Sequence, residues 1–160
     1  MKAFCSLLLL FWATAARAGW WQNTVDPLAG PRKYFESGRY QQVVSELNEP
    51  AVQKLRGDSL RQAYLYLGES HERLGSQDKA LGIYQVAVKL FPRDLELLTR
   101  TARILHTAGL DERALPFYDK VLAIHPNNTL ANLGLAEIDH ALGFLDRSAE
   151  RYEKALQEDL

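Results

Sequence analysis

The sequence predicts an all-α protein: an α-solenoid of stacked antiparallel helix pairs. Two observations carry this. Residues 84–92 read YQVAVKLFP, and 34 positions later residues 118–126 read YDKVLAIHP. From Arg61 onward the chain divides into units 61–94, 95–128 and 129–160, in which Gly75, Gly109 and Gly143 fall in register, as do Tyr84, Tyr118 and Tyr152. One helix pair cannot bury its own apolar face; stacked copies share a continuous core, which is why a chain repeats the same phrase.

Each unit reads as two helices. In the first unit Tyr64, Leu67, His71 and Leu74 recur at spacings of three and four, the pattern of an amphipathic helix with one inward face. Gly75 then ends that helix, because glycine accepts the left-handed conformation of a helix C-terminus. Ser76 in the first unit and Asp111 in the second are expected to cap the following helix by accepting from its free N–H groups. Ala80, Tyr84 and Ala87 form the return face, with Ala80 and Ala114 (Ser148 in the third unit) small enough for close backbone approach. Pro92 and Pro126 stop the second helix, since proline has no N–H and disfavours helical geometry in the residue before it.

This arrangement resembles the tetratricopeptide repeat, a 34-residue helix–turn–helix with an aromatic, Leu-Gly, Tyr, Ala, an aromatic and Pro at fixed offsets. The first unit carries Tyr64, Leu67-Gly68, Ala80, Tyr84 and Pro92, with His71 where the family has Tyr. The second carries Leu98, Ala102, Ala114, Tyr118 and Pro126. The third carries Leu135, Ala136, Tyr152 and Ala155, lacks the terminal proline and is two residues short of a full unit.

Upstream, residues 31–47 (PRKYFESGRYQQVVSEL) place Tyr34, Gly38, Val43 and Leu47 at the corresponding offsets and read as a degenerate first repeat with a shortened first helix. Together with a helical connector over 48–58 this gives a unit spanning 31–58. Residues 19–30 (GWWQNTVDPLAG) are expected to be extended, with Trp20 or Trp21 laid over the first helices; a disordered tail is the other reading. Before them, Met1–Ala18 has a basic start at Lys2, an apolar run of about a dozen residues and the small-residue ending Ala16-Arg17-Ala18, the pattern of a secretory leader cut after Ala18. The run is shorter than the roughly 20 residues a spanning helix needs. The expected compartment is the periplasm or another exported space.

Cleavage there would remove Cys5, the one cysteine, so the mature chain would have neither disulfides nor thiolate chemistry. Loss of Lys2 and Arg17 takes the formal charge from −1 to −3, and no basic run stands out, so nucleic acid has no electrostatic support as a partner. There is no phosphate-binding glycine loop, no zinc-spaced Cys/His set and no serine nucleophile elbow. No catalytic residue, cofactor or metal is expected. The carboxylates Glu69, Glu72, Glu96, Glu112, Glu137 and Asp139 lie at the spacings of solvated helix faces. His106 and His140, 34 positions apart, hold equivalent places on adjacent first helices. They read either as a ligand-contacting ledge or as two unconnected surface residues. A shared metal would lack its third and fourth ligands.

The resemblance implies a concave groove, lined by the first helices, that holds an extended peptide or a helix of another protein. Its groove-facing offsets fall on Gln62, Leu65, Glu69, Glu72 and Arg73 in the first unit. They fall on Glu96, Thr99, Arg103, His106 and Thr107 in the second, and on Leu130, Leu133, Glu137, His140 and Ala141 in the third. Leu65 and Leu133 are the expected apolar anchors. Chaperone-binding arrays clamp a carboxylate with Lys and Asn at two of these offsets; this chain has Leu65 and Glu69 there, which argues against that ligand. At the other end, Leu142, Phe144 and Leu145 leave an apolar face that is either a docking or dimer surface within 142–160 or is covered by Arg147, Arg151 and Lys154. The function expected is a non-catalytic adaptor or scaffold of the cell envelope. The rival readings are a structural element that self-associates through its last repeat and an enzyme of unrecognised type.

Overall fold

The computed structural model describes residues 26–156. The expected leader, Trp20 and Trp21, and the last four residues lie outside the described residues. Every regular element described is an α-helix: α1 Ala29–Glu36, α2 Tyr40–Glu46, α3 Glu49–Val52, α4 Gly57–Arg73, α5 Gln77–Leu90, α6 Leu95–Thr107, α7 Asp111–Ile124, α8 Thr129–Ala141 and α9 Leu145–Leu156. They stack as antiparallel pairs α1/α2, α4/α5, α6/α7 and α8/α9, with α3 as a single turn inserted after the first pair. α1 has 8 residues against 17 in α4, so the first pair buries less surface.

The turn inside each pair is the same. Gly38, Gly75, Gly109 and Gly143 sit at φ of 72°, 73°, 71° and 81°, a region that penalises any Cβ. The backbone then closes on the preceding helix. Gly75 N donates to Glu72 O at 3.0 Å and Ser76 N to His71 O at 2.8 Å, and the same pair of bonds recurs after α6 and α8. This tight turn corrects the expected caps. Neither Ser76 nor Leu110 makes a side-chain cap, and Asp111 is already the first residue of α7, its carboxylate turned to His106. The side-chain caps instead stand between pairs, where the chain enters a first helix extended. Asp94 Oδ1 accepts from Leu97 N at 2.9 Å, and Asn128 Oδ1 accepts from Ala131 N at 3.0 Å. The residues before Pro92 and Pro126, Phe91 and His125, have left helical geometry, and α5 and α7 end just before them.

Packing follows from small residues at the crossings. Ala80 and Ala114 are fully buried, and Ser148, at the third such crossing, donates to Ala136 O at 2.9 Å. The ring of Tyr84 lies on Gly68 of its own pair, and the ring of Tyr118 lies on Gly134 of the next; a Cβ at either glycine would overlap the ring. Tyr118 therefore welds α7 to α8, within a core that also holds Leu98, Leu105, Val121, Leu135 and Ile138. A second core joins α4, α5 and α6 through Leu65, Tyr84, Leu97 and Ile104. A third closes the first pair onto α4 through Leu28, Val43, Leu47 and Leu67. No helix among the described residues is long and apolar enough to cross a membrane.

Candidate functional site: a recess on the first helices

α4, α6 and α8 together line a recess of about 500 Å³ with walls formed by Glu69, Arg73, Leu95, Glu96, Thr99, Arg100, Arg103, Asn128 and Leu130. Its centre is Arg100, on α6. The guanidinium reaches Glu69 at 2.9 Å, Glu72 at 3.6 Å and Glu96 at 3.2 Å. Glu72 also takes Arg103 at 2.5 Å, and Glu69 takes Arg73 at 3.3 Å. At the edge, Arg61 pairs with Glu96 at 3.3 Å and with the capping Asp94.

This network inverts the expected charge of the surface. The carboxylates of Glu69 and Glu72 are only 20% and 17% exposed, whereas the side chains of Arg73 and Arg103 are 60% and 52% exposed. The acids lie beneath and the guanidinium groups lie outward. The expectation of freely solvated carboxylates is therefore corrected at Glu69 and Glu72. It also fails at Asp139, which is buried and bound by Arg147 and by Arg151 at 2.8 Å. With Glu69 neutralised by Arg73 and Arg100, its supposed repulsion of an anionic ligand loses its basis.

Leu65 is a second correction. It is 4% exposed, packed in the core with Leu97 and Ile104, and is not an anchor. Its offset sinks into the seam between α4 and α6 once the next repeat is stacked. Thr99, at the same offset one repeat on, is 6% exposed and forms the floor of the recess, its hydroxyl bonded to Leu95 O at 2.7 Å. Leu133 is half-buried, and the exposed apolar group is Leu130, at 57%. Gln62, Thr107, Glu137, His140 and Ala141 do not line the recess. Arg100, Leu95 and Asn128 do, and the offset scheme missed them. Arg100 had a signal, a glutamate four residues before it on one helix face.

His106 and His140 do not meet any common ligand set: among the described residues no three His, Cys, Asp or Glu side chains could hold a metal ion. His106 instead bridges two repeats, with Nδ1 2.6 Å from Asp111 Oδ1 and Nε2 3.1 Å from Glu137 Oε2. Burial alone would lower its pKa, but the hydrogen bonds to the two carboxylates outweigh it and hold the pKa above the ordinary histidine value. The phenol of Tyr84 is raised by burial and by the adjacent Glu72, and that of Tyr118 is pushed up to about 12, chiefly by burial. Both stay neutral, and Tyr84 donates to Glu72 Oε1.

A larger cleft of about 770 Å³ opens on another face of α4, between α2, α3 and α5. Its walls include Leu47, Val52 and Leu67 with Val44, Leu60, Tyr64 and Ile83, residues of the core that joins the first pair to α4. It is the outer seam of that core, and its charged lining residues, Glu49, Arg56, His71 and Lys79, form no ion-pair network like that of the recess among the described residues. At the far end Leu142, Phe144 and Leu145 are 62%, 49% and 60% exposed. Arg147 lies over the Phe144 ring at 4.2 Å, while Lys154 is drawn to Glu150 at 2.6 Å, so of the three expected cations only Arg147 is seen over that face, on Phe144.

A family model for the tetratricopeptide repeat matches residues 61–104. Tetratricopeptide repeat protein 8 of Caenorhabditis elegans is 23% identical over 138 residues, 86% of this chain and 26% of its own length. BBSome complex member BBS4 of Bos taurus is 29% identical over 90 residues, 56% of this chain and 17% of its own. The chain thus spans about a quarter or less of these relatives. Among solved structures, MamA superposes with a TM-score of 0.69 at 17% identity, covering 83% of this chain and 76% of that one. Together with the glycine turns, the buried tyrosines and the stacked helix pairs, these likenesses show the fold of a tetratricopeptide-repeat solenoid, with the family model itself matched over residues 61–104.

Proposed function

We propose that this protein is a non-catalytic adaptor whose recess on α4, α6 and α8 holds an extended or helical segment of another protein, one bearing acidic and apolar side chains. Tetratricopeptide-repeat proteins are in general scaffolds for protein–protein interaction, and the fold is typically non-catalytic. The observation that carries the finer reading is the layering of charge: Arg73 and Arg103 face outward over covered carboxylates, with the exposed Leu130 beside them. Exposed guanidinium groups take carboxylates in paired hydrogen bonds, and a single exposed leucine supplies an apolar anchor. The leader-like pattern of Met1–Ala18 supports a site of action in the cell envelope or another exported compartment.

Selection of peptides from a displayed random library on the purified protein tests this. Enriched sequences should combine Asp or Glu with Leu, Ile or Phe, and should be lost on an Arg73→Glu, Arg103→Glu double variant that melts like the wild type. Enrichment of basic sequences, or retention on that variant, would overturn the reading.

A further inference from the structure

The cleft between α2, α3, α4 and α5 is apolar along its length and basic at one end. Leu60, Tyr64, Leu67 and His71 follow one another at spacings of four, three and four, so they share one face of α4. To this face α5 adds Ile83 and Val86, and α2 and α3 add Val44 and Val52. The next joint along the solenoid fills the same place. At the positions 34 residues on from His71 and Ile83 stand Leu105, fully buried, and Phe117, packed against the core. At the first joint the lining includes Gly82, and a Cβ built on it meets nothing within 4 Å. The charge is uneven. His71 stands near Lys79: burial first, and then that ammonium, lowers the histidine's pKa, and no carboxylate opposes them. Glu49, the acid among the lining residues described, belongs to α3, where Gln53 donates to it at 3.3 Å. Arg56, just before α4, gives its guanidinium to the backbone carbonyls of Gln53 and Leu55.

We infer that this cleft binds a medium-chain carboxylate, with its alkyl chain along α4 and its headgroup at His71 and Lys79. The length fits: from Leu60 to His71 the helix rises roughly 16 Å, about the span of extended dodecanoate. The volume also fits, since small-ligand sites enclose about 300–1,000 Å³ behind mostly apolar walls with a few polar groups. The ammonium supplies a charge-assisted hydrogen bond, and a neutral imidazole still has one N–H to give. The chain would cover apolar surface that the second joint covers with its own side chains. No residue lines both this cleft and the recess, so the site is independent of the adaptor reading.

The probe is sodium dodecanoate, titrated calorimetrically into the full chain below micelle formation. One saturable site is expected. Gly82→Phe, which puts a ring into the gap, and Lys79→Glu, which reverses the charge at the headgroup, should each weaken it at least about tenfold. Both positions are exposed, so both variants should keep the wild-type circular dichroism and melting profile. The Arg73→Glu, Arg103→Glu double variant should bind dodecanoate as the wild type does. Dodecyltrimethylammonium, with the same chain and a cationic head, should bind at least about tenfold more weakly. Absence of a saturable site, equal binding of the two headgroups, or binding indifferent to Gly82→Phe would overturn the inference. So would sedimentation showing a dimer that Gly82→Phe dissociates, since the occupant would then be a second copy.

Discussion

The phenol of Tyr84 donates a 2.6 Å hydrogen bond to Glu72 Oε1, tying the centre of the α4/α5 core to a carboxylate beside the recess. A fully buried ring thereby positions an acid that also engages Arg100 and Arg103. Tyr84→Phe keeps the ring and removes the donor. A hydrogen bond to a charged acceptor contributes about 1.5–3 kcal/mol, so urea denaturation should show a loss of roughly 1–2 kcal/mol, since Glu72 keeps its two arginines. No change in midpoint would mean that the bond contributes nothing.

Gly68 and Gly82 lie in neighbouring helices and should respond oppositely to alanine. At Gly68 a Cβ would run into the ring of Tyr84, which is fully buried. Overpacking of this kind costs about 1–3 kcal/mol. Gly82, exposed in α5, has nothing within 4 Å of a built Cβ. Alanine there should stabilise by about 0.5–1 kcal/mol through helix propensity and reduced unfolded-state freedom. Thermal melts of both variants compare the two directly.

Arg100 and Arg73 make similar contacts on paper and should differ in effect. Arg100, 23% exposed, compensates three carboxylates; Arg73, 60% exposed, touches one at the surface. Arg100→Leu leaves partly covered acids without their partner and should cost about 2 kcal/mol or more. Arg73→Ala should stay within about 0.5 kcal/mol. Lysine at 100 should rescue little, because a point charge cannot replace a fork spanning three acceptors.

The joint between the second and third repeats should weaken as pH rises. His106 has a folded pKa above its unfolded value of about 6.5. Its contribution is therefore complete below that unfolded value and is lost as pH rises through the folded one. Urea midpoints taken across this range for wild type and His106→Gln should differ most at the acid end and converge at the alkaline end. A constant difference would show that the bridge to Asp111 and Glu137 does not depend on the proton.

The stacked fold was legible because its punctuation is chemical: Gly75, Gly109 and Gly143 are required by left-handed turns, and Tyr84 and Tyr118 by the crossings they fill. The caps were misread because a serine or aspartate after a glycine looks like an N-cap, whereas the turn closes through backbone bonds and leaves Ser76 out of reach. The recess was legible only in outline. Offsets along a helix say which way a residue points, and they put Glu96, Arg103 and Leu130 on the right face. They do not say what the next repeat covers, so Leu65 was counted as an anchor although Leu97 and Ile104 close over it. Nor do they weigh ion pairs, which is why Arg100 was passed over and the layering of acids under arginines was not foreseen.

The central claim is that the recess on α4, α6 and α8 engages another protein. Its most direct test is photocrosslinking in the native host, with a crosslinking side chain placed singly at Arg103, at Leu130 and, as a control on the exposed outer side of α7, at Lys120. The account predicts a discrete adduct with a different protein from positions 103 and 130 and none from 120. Equal labelling from all three positions, or adducts only with a second copy of this chain, would contradict it.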